Sequence, residues 1–220
     1  MASVPHLLVA RDAVFFASVA AALPVGVGVA RAGRRLADRE LPVHALWILI
    51  GAAAVAVSSA LAGAPTSIAP FSLALGWILL ALALVDAATS RLPNILTLPL
   101  VALGLLATLW MPAETLLDHV LGAAAGYGVF LGLALLYHRL RGQEGLGLGD
   151  AKLMGAAGAW LGWRPLPTVI LLGCVGAFLW LAIRAVTKGR DSWREPLPFG
   201  PPLCAAIWLV WLYGPGLSAW

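Results

Sequence analysis

Long apolar runs separated by short polar breaks dominate the chain from end to end. There are about eight such runs, at residues 13–30, 44–63, 68–86, 94–111, 116–137, 151–163, 166–186 and 200–217. A helix needs about 20 apolar residues to cross the hydrocarbon core of a bilayer, and fewer where the bilayer is locally thin. The pattern therefore predicts an all-α polytopic membrane protein with about eight transmembrane helices, which we interpret as a single domain over residues 1–220.

The composition strengthens this prediction. Of the 220 residues, 61% are hydrophobic and 11% are charged, whereas soluble domains carry about 25% charged residues. The mean hydropathy of +0.93 leaves too little polar surface for a water-soluble enzyme, a disordered chain or a cytosolic nucleic-acid-binding protein. The net charge of +4 comes from short basic clusters between the apolar runs. We therefore expect the lipid bilayer as a partner and no nucleic acid.

The basic residues predict the orientation of the spans. All but two of the fourteen lysines and arginines lie in the four segments 31–43, 87–93, 138–152 and 184–199. Lysine and arginine are enriched in cytoplasmic loops of membrane proteins. The sequence thus predicts a multi-pass protein of the plasma (inner) membrane, with these four segments in the cytoplasm and both termini on the other side.

Two acidic residues stand out because they lie next to apolar helices rather than in open loops. Asp86 ends the third apolar run, and Asp150 follows the glycine-rich stretch 145–149. A carboxylate at membrane depth is costly and usually has a function. Since both residues are predicted on the cytoplasmic side at a similar depth, we expect their side chains to meet.

Facing carboxylates suggest the chemistry of an aspartic protease. Two carboxylates a few ångströms apart share a proton, so one can activate water while the other polarises a peptide carbonyl. Gly147 and Gly149 lack a Cβ and would let a substrate strand approach, and Lys152 is close by in sequence. Because Asp150 is predicted at a helix N-terminus, we expect it to be the ionised member. The scattered histidines predict no metal site, and no cofactor is expected.

A purely structural role is the alternative for each carboxylate taken alone. Asp86 would then cap a turn and pair with Arg91, and Asp150 would be the N-cap of the next helix. Taken together, the GxGD spacing at 147–150 and the shared predicted depth favour the functional interpretation.

Three motifs, in the same order, resemble those of the type IV prepilin peptidase family. They are Asp86 with Arg91-Leu92-Pro93-Asn94, then Gly145-Leu146-Gly147-Leu148-Gly149-Asp150-Ala151-Lys152-Leu153, and Leu197-Pro198-Phe199-Gly200-Pro201-Pro202. The resemblance covers roughly residues 70–215. It implies an intramembrane aspartic endopeptidase that removes the basic leader from type IV prepilins or pseudopilins at the cytoplasmic face. Asp86 and Asp150 match the catalytic pair, and Gly147 and Gly149 match the motif glycines.

The chain departs from this resemblance in one respect. Many bacterial members carry a cytoplasmic domain with paired CxxC motifs after the first helix, and they also N-methylate the product with S-adenosylmethionine. Segment 31–43 contains no cysteine and is too short to build a methyl-donor site, so we expect no N-methyltransferase activity. Glu144 and Glu195 are weaker candidates for binding a basic leader; as ordinary solvated loop residues they would have no such role.

Two other functions are consistent with the same carboxylates. A protease similar to presenilin or signal peptide peptidase shares GxGD, but such families place tyrosine before the first aspartate and Pro-Ala-Leu after the second. Here Val85 precedes Asp86 and no Pro-Ala-Leu follows. A proton-coupled transporter would need polar residues along a path to the far side, and the flanking runs offer hardly any. A purely structural scaffold would leave the GxGD spacing unexplained.

Overall fold

The computed structural model describes residues 69–110, 115–142, 147–188 and 198–217. This part of the chain is α-helical and contains no strand. Its helices are α1 (Ala69–Thr89), α2 (Asn94–Ala107), α3 (Leu116–Arg141), α4 (Leu148–Leu161), α5 (Leu166–Lys188) and α6 (Gly200–Leu217), with a 3-10 turn at Thr108–Trp110 after α2. They correspond to the last six predicted runs. Runs 13–30 and 44–63 lie outside the described residues, so the total of about eight stays a prediction.

The helices have the length and composition of membrane spans. Among the described residues, three segments are long and apolar enough to cross a bilayer: Phe71–Thr89, Leu116–Arg141 and Leu166–Thr187. Two shorter apolar helices, Asn94–Trp110 and Gly200–Gly214, accompany them. The predicted all-α membrane architecture is thus confirmed in its class.

Helix α4 lies at the centre of the bundle. Every residue from 153 to 160 is buried, and α4 packs against α2, α3 and α6. The close approach of α3 depends on glycine, because a Cβ on Gly158 would overlap the backbone of Gly122. Since other helices surround α4, its 14 residues, about 21 Å long, need not match the thickness of the bilayer.

Hydrogen bonds between helices fix their relative directions. In α1 and α6, Trp211 donates to Ser72 Oγ at 2.9 Å while Asp86 contacts Gly200, so these two helices are antiparallel. Helices α2 and α4 are parallel, because Trp160 Nε1 donates to the carbonyl oxygen of Leu100 at 2.8 Å and the first turns of both helices also meet. The C-terminus of α1 and the N-termini of α2, α4 and α6 therefore lie at one end of the bundle, here named the carboxylate end.

Helices α3 and α5 also end at the carboxylate end. Helix α3 is antiparallel to α4, since Gly122 contacts Gly162 while Gly126 contacts Met154. Helix α5 is antiparallel to α6, since Gly173 contacts Leu203 while Gly176 contacts Pro202. The C-termini of α3 and α5, which carry basic residues, consequently lie at the carboxylate end.

Two helix boundaries near the carboxylates differ from those predicted. Helix α1 does not stop at Asp86 but continues to Thr89, whose hydroxyl donates to the carbonyl oxygen of Val85 at 2.8 Å. Helix α4 begins at Leu148 rather than at residue 151, because Gly147 serves as the N-cap. Both aspartates therefore lie within helical turns, where neighbouring backbone restricts their side chains.

Candidate active site

Asp86 is held by the start of α6. It lies in the last turns of α1 with only 5% of its surface exposed. Its Oδ2 accepts a hydrogen bond from the backbone N–H of Gly200 at 3.0 Å, in a buried environment. Gly200 is the first residue of α6, and the first N–H groups of a helix have no partner within that helix. A free helical N–H is thus directed at the carboxylate.

The contact requires glycine at position 200. A Cβ built there would lie 2.5 Å from Asp86 Oδ2 and 2.8 Å from its Cγ. Proline at position 201 removes no helical hydrogen bond, because the N–H groups in the first turn of a helix have no acceptor within that helix. The surrounding Leu197–Pro202 motif contributes to the family resemblance, but the role of Gly200 was not predicted from it. A glycine before two prolines at a helix start was the available signal.

Asp150 lies in the first turn of α4 and is 9% exposed. Its backbone N–H donates to the carbonyl oxygen of Gly147 at 3.0 Å, which begins the helix. A Cβ on Gly147 would stand 3.3 Å from Asp150 Oδ2, so the exposed backbone of Gly147 runs directly beside the carboxylate. The first of the two motif glycines therefore keeps a side chain from crowding Asp150.

The structure brings the two carboxylates together. Asp86 on α1 and Asp150 on α4 lie close enough for a charge on one to affect the other. Cys204, one turn after Gly200 on α6, is 3% exposed and lies within the electrostatic reach of both carboxylates. Three helices thus converge on one small buried region at the carboxylate end.

The remaining motif residues join the two aspartate-bearing segments. A Cβ on Gly149 would lie 2.9 Å from Leu92 Cβ, so this glycine lets α4 pack against the loop between α1 and α2. Lys152 Nζ donates to Asn94 Oδ1 at 2.7 Å. Gly149 therefore faces Leu92 rather than open space, and Lys152 ties the start of α4 to the start of α2.

The structural roles considered above for the carboxylates differ from those that the described part of the chain shows. The N-cap of α4 is Gly147, not Asp150. Arg91 is exposed, and no ion pair connects it with Asp86 in the described part of the chain. A buried ionised carboxylate without a cationic partner costs several kcal/mol, which favours a functional reason for an aspartate at position 86.

Glu144 and Glu195, the weaker candidates for leader binding, lie outside the described residues. Within the described ranges, no three His, Cys, Asp or Glu side chains are grouped closely enough to hold a metal ion.

Comparison with known proteins identifies the family of this chain. The sequence profile of the type IV leader peptidase family matches residues 73–182, a region that includes both carboxylates. The chain belongs to the type IV leader peptidase family. The expected resemblance is thereby confirmed.

Individual relatives of this leader peptidase family are similar over most of the chain. A protein of Aeromonas hydrophila is 41% identical over 184 residues, which is 82% of this chain and 63% of that protein. One of Burkholderia pseudomallei is 44% identical over 168 residues, 74% of this chain and 53% of that protein. One of Pseudomonas aeruginosa is 40% identical over 143 residues, 64% of this chain and 49% of that protein.

All three relatives are named prepilin leader peptidase/N-methyltransferase. The matched part of the chain spans between about half and 63% of their length. No solved structure gives a significant match to the chain.

Proposed function

We propose that this chain is an intramembrane aspartic endopeptidase that removes the basic leader from type IV prepilins or pseudopilins. Asp86 and Asp150 are the proposed catalytic pair. The observation that carries the proposal is the placement of these two buried carboxylates at the same end of the helix bundle, beside the starts of α6 and α4. Membership of the leader peptidase family and the names of the relatives support the substrate class.

The reaction follows from a pair that shares one proton. The ionised carboxylate takes a proton from water as the water oxygen bonds to the scissile carbonyl carbon. The protonated carboxyl donates a hydrogen bond to the carbonyl oxygen and keeps its proton, so the pair then holds two protons. When the tetrahedral intermediate collapses, the C–N bond breaks and the leaving nitrogen takes up a proton from the pair. One carboxyl and one carboxylate remain, so the starting state is restored.

The distribution of basic residues supports cleavage on the cytoplasmic side of the plasma membrane. Arg91, Lys152 and the basic ends of α3 and α5 lie at the carboxylate end, whereas Arg164 lies at the opposite end, between α4 and α5. Because lysine and arginine mark cytoplasmic loops, the proposed orientation places Asp86 and Asp150 near the cytoplasmic face. A prepilin leader, being basic, would reach them from that side.

The proposed activity is limited to peptide-bond cleavage. The prediction that N-methylation is absent depends on the short, cysteine-free segment 31–43, although the relatives' names include N-methyltransferase. The mass of the mature N-terminus decides this point, because a methyl group adds a defined mass.

Glu144 and Glu195 remain predicted contacts for the leader. Charge reversal at either position is expected to slow leader cleavage, and unchanged cleavage by both reversal variants would remove them from the site.

Co-expression with a prepilin from the same genome tests the proposal. Membranes carrying wild type, Asp86→Asn or Asp150→Asn are compared by mass spectrometry of the prepilin N-terminus. We expect the wild type to yield the shortened product and both variants to leave the leader in place, since an amide neither takes up nor supplies the catalytic proton. Asp118→Asn, the same substitution near the opposite end of the bundle, is the matched control.

Two results would contradict the proposal. One is an intact leader with the wild type present in the membrane. The other is full cleavage by either asparagine variant of the pair at an equal level of membrane protein.

A further inference from the structure

A short turn, residues 90–93, connects α1 to α2 shortly after Asp86. The backbone N–H of Ser90 donates to the carbonyl oxygen of Asp86 at 2.7 Å. Ser90 has a φ of 51°, in the left-handed region that residues other than glycine rarely adopt. At the other end of the turn, the carbonyl oxygen of Pro93 accepts from two N–H groups in the first turn of α2, at 3.1 and 3.2 Å. The turn is therefore fixed at both ends, and a shift of the turn also shifts the end of α1.

Leu92 is the side chain through which this turn contacts α4. A Cβ built on Gly149 would lie 2.9 Å from Leu92 Cβ, 3.2 Å from Cδ1 and 3.4 Å from Cγ, so the backbone of Gly149 lies directly against Leu92. Leu92 is half-buried and packs against the hydrophobic core. Since Gly149 immediately precedes Asp150, one side chain fills the space between the turn that follows Asp86 and the residue before Asp150.

A hydrogen bond beside this contact acts in the opposite sense. Lys152 Nζ donates to Asn94 Oδ1 at 2.7 Å, which holds the starts of α4 and α2 together. The contact between Leu92 and Gly149 limits how closely the turn and α4 approach each other, because closely packed atoms resist compression. The side chain of Leu92 is thus a spacer between the two aspartate-bearing helices, and the hydrogen bond is a tether.

We propose that Leu92 is a positioning residue that sets the separation between the carboxylates of Asp86 and Asp150. This inference rests on the proposed function, because the separation matters for catalysis only if both carboxylates act on one peptide bond. The effect of Leu92 passes through the ends of α1 and α4 rather than through contact with the substrate. A misplacement of about 1 Å lowers the rate of an enzymatic reaction about 100-fold, so the spacer affects the chemical step more than substrate binding.

Truncation of Leu92 is the direct test. Leu92→Ala removes Cγ and both Cδ atoms, and α4 then moves towards the turn because such a cavity partly collapses. In prepilin cleavage by purified protein in lipid vesicles, we expect kcat to fall about 10- to 100-fold and KM to stay within about twofold of the wild type. Leu92→Met nearly preserves the side-chain volume and is expected to keep kcat within about threefold of the wild type.

Leu161→Ala is the matched control. Leu161 is also a half-buried leucine packed against the same core, but it is the last residue of α4, at the opposite end of the bundle. We expect both alanine variants to lower the midpoint of thermal unfolding similarly and only Leu92→Ala to lower kcat, a difference that a purely structural role would not produce. If Leu92→Ala does not fold, Leu92→Val takes its place, with kcat expected to fall about threefold to tenfold.

A change at Gly149 tests the contact from the other side. Gly149→Ala adds a Cβ at 2.9 Å from Leu92 Cβ and 3.2 Å from Cδ1, which pushes α4 away from the turn and is expected to lower kcat. In the double variant, Leu92→Ala removes the Cδ1 and Cγ contacts of the new Cβ. We therefore expect its kcat to be at least about fivefold higher than two independent effects would give, since substitutions in direct contact are not additive.

The outcomes separate this inference from the proposed function. If the wild type cleaves no prepilin, the proposed function fails and the inference fails with it. If the wild type cleaves, three results refute the inference about Leu92 alone. They are a folded Leu92→Ala protein with kcat within about twofold of the wild type, an equal fall in kcat for Leu161→Ala, and independent effects of the changes at Leu92 and Gly149.

Discussion

Replacing Gly200 with alanine tests whether α6 positions Asp86 for catalysis. The added Cβ would lie 2.5 Å from Asp86 Oδ2 and 2.8 Å from Cγ, whereas non-bonded carbon contacts are comfortable at about 3.5 Å or more. The carboxylate and the helix start must therefore separate by about 1 Å. That movement breaks the 3.0 Å hydrogen bond from the Gly200 N–H.

The expected loss follows from the strength of such a bond. A hydrogen bond to a charged group contributes about 1.5–3 kcal/mol. If the Gly200 N–H holds Asp86 in its reactive position, the transition state loses this stabilisation. The loss corresponds to about a 10- to 150-fold lower kcat/KM. A displacement of about 1 Å at a reacting group has an effect of similar size.

Initial rates of prepilin cleavage by purified protein in lipid vesicles measure this effect. Gly214→Ala, on the same helix, is the control, because its Cβ would meet the nearest side chain, Val210, at an ordinary 3.6 Å. Thermal unfolding of both variants separates loss of fold from loss of positioning. A folded Gly200→Ala protein with kcat/KM within about twofold of the wild type would refute the positioning role, since that change is under about 0.5 kcal/mol.

Three further substitutions have defined expected outcomes. Trp160→Phe removes a buried 2.8 Å hydrogen bond and should destabilise the fold by about 1–3 kcal/mol. Trp77→Phe removes an indole N–H that has no hydrogen-bond partner among the described residues and should be neutral or stabilising. Thermal unfolding compares the two variants, and equal losses of stability would contradict this expectation. Gly158→Val should abolish folding, because the backbone of α3 contacts this position. Gly128→Val should not, because a Cβ at this position would meet no atom within 4 Å. The folded yield after detergent extraction measures the difference. Lys152→Met removes a 2.7 Å hydrogen bond to the start of α2 and should slow prepilin cleavage about twofold to tenfold; an unchanged rate would show that this link does not position α4.

The geometry changes the basis for distinguishing the two aspartates. Asp150 was expected to be the ionised member because it lies at a helix N-terminus. The structure confirms that position for Asp150, but it also directs the N-terminus of α6 at Asp86. Since both carboxylates face a positive helix end, the helix-end argument no longer separates them.

The amino-acid sequence by itself determined the helical architecture of the described region and the residues of chemical interest. Apolar runs and their breaks are local features, and the start and end of a helix depend mainly on neighbouring residues. The helices α1 to α6 accordingly match the last six predicted runs to within a few residues. Asp86 and Asp150 stood out for a similar reason. A carboxylate beside an apolar run is unusual regardless of how the helices pack against one another.

Only the tertiary structure decided which groups meet these carboxylates. The donor to Asp86 is Gly200, 114 positions along the chain, and no local pattern encodes a contact between helices so far apart. Gly149 was expected to leave space for substrate, but it faces Leu92 because α4 runs parallel to α2. Such pairings depend on how six helices bury their small residues against one another, and this packing is a property of the whole bundle.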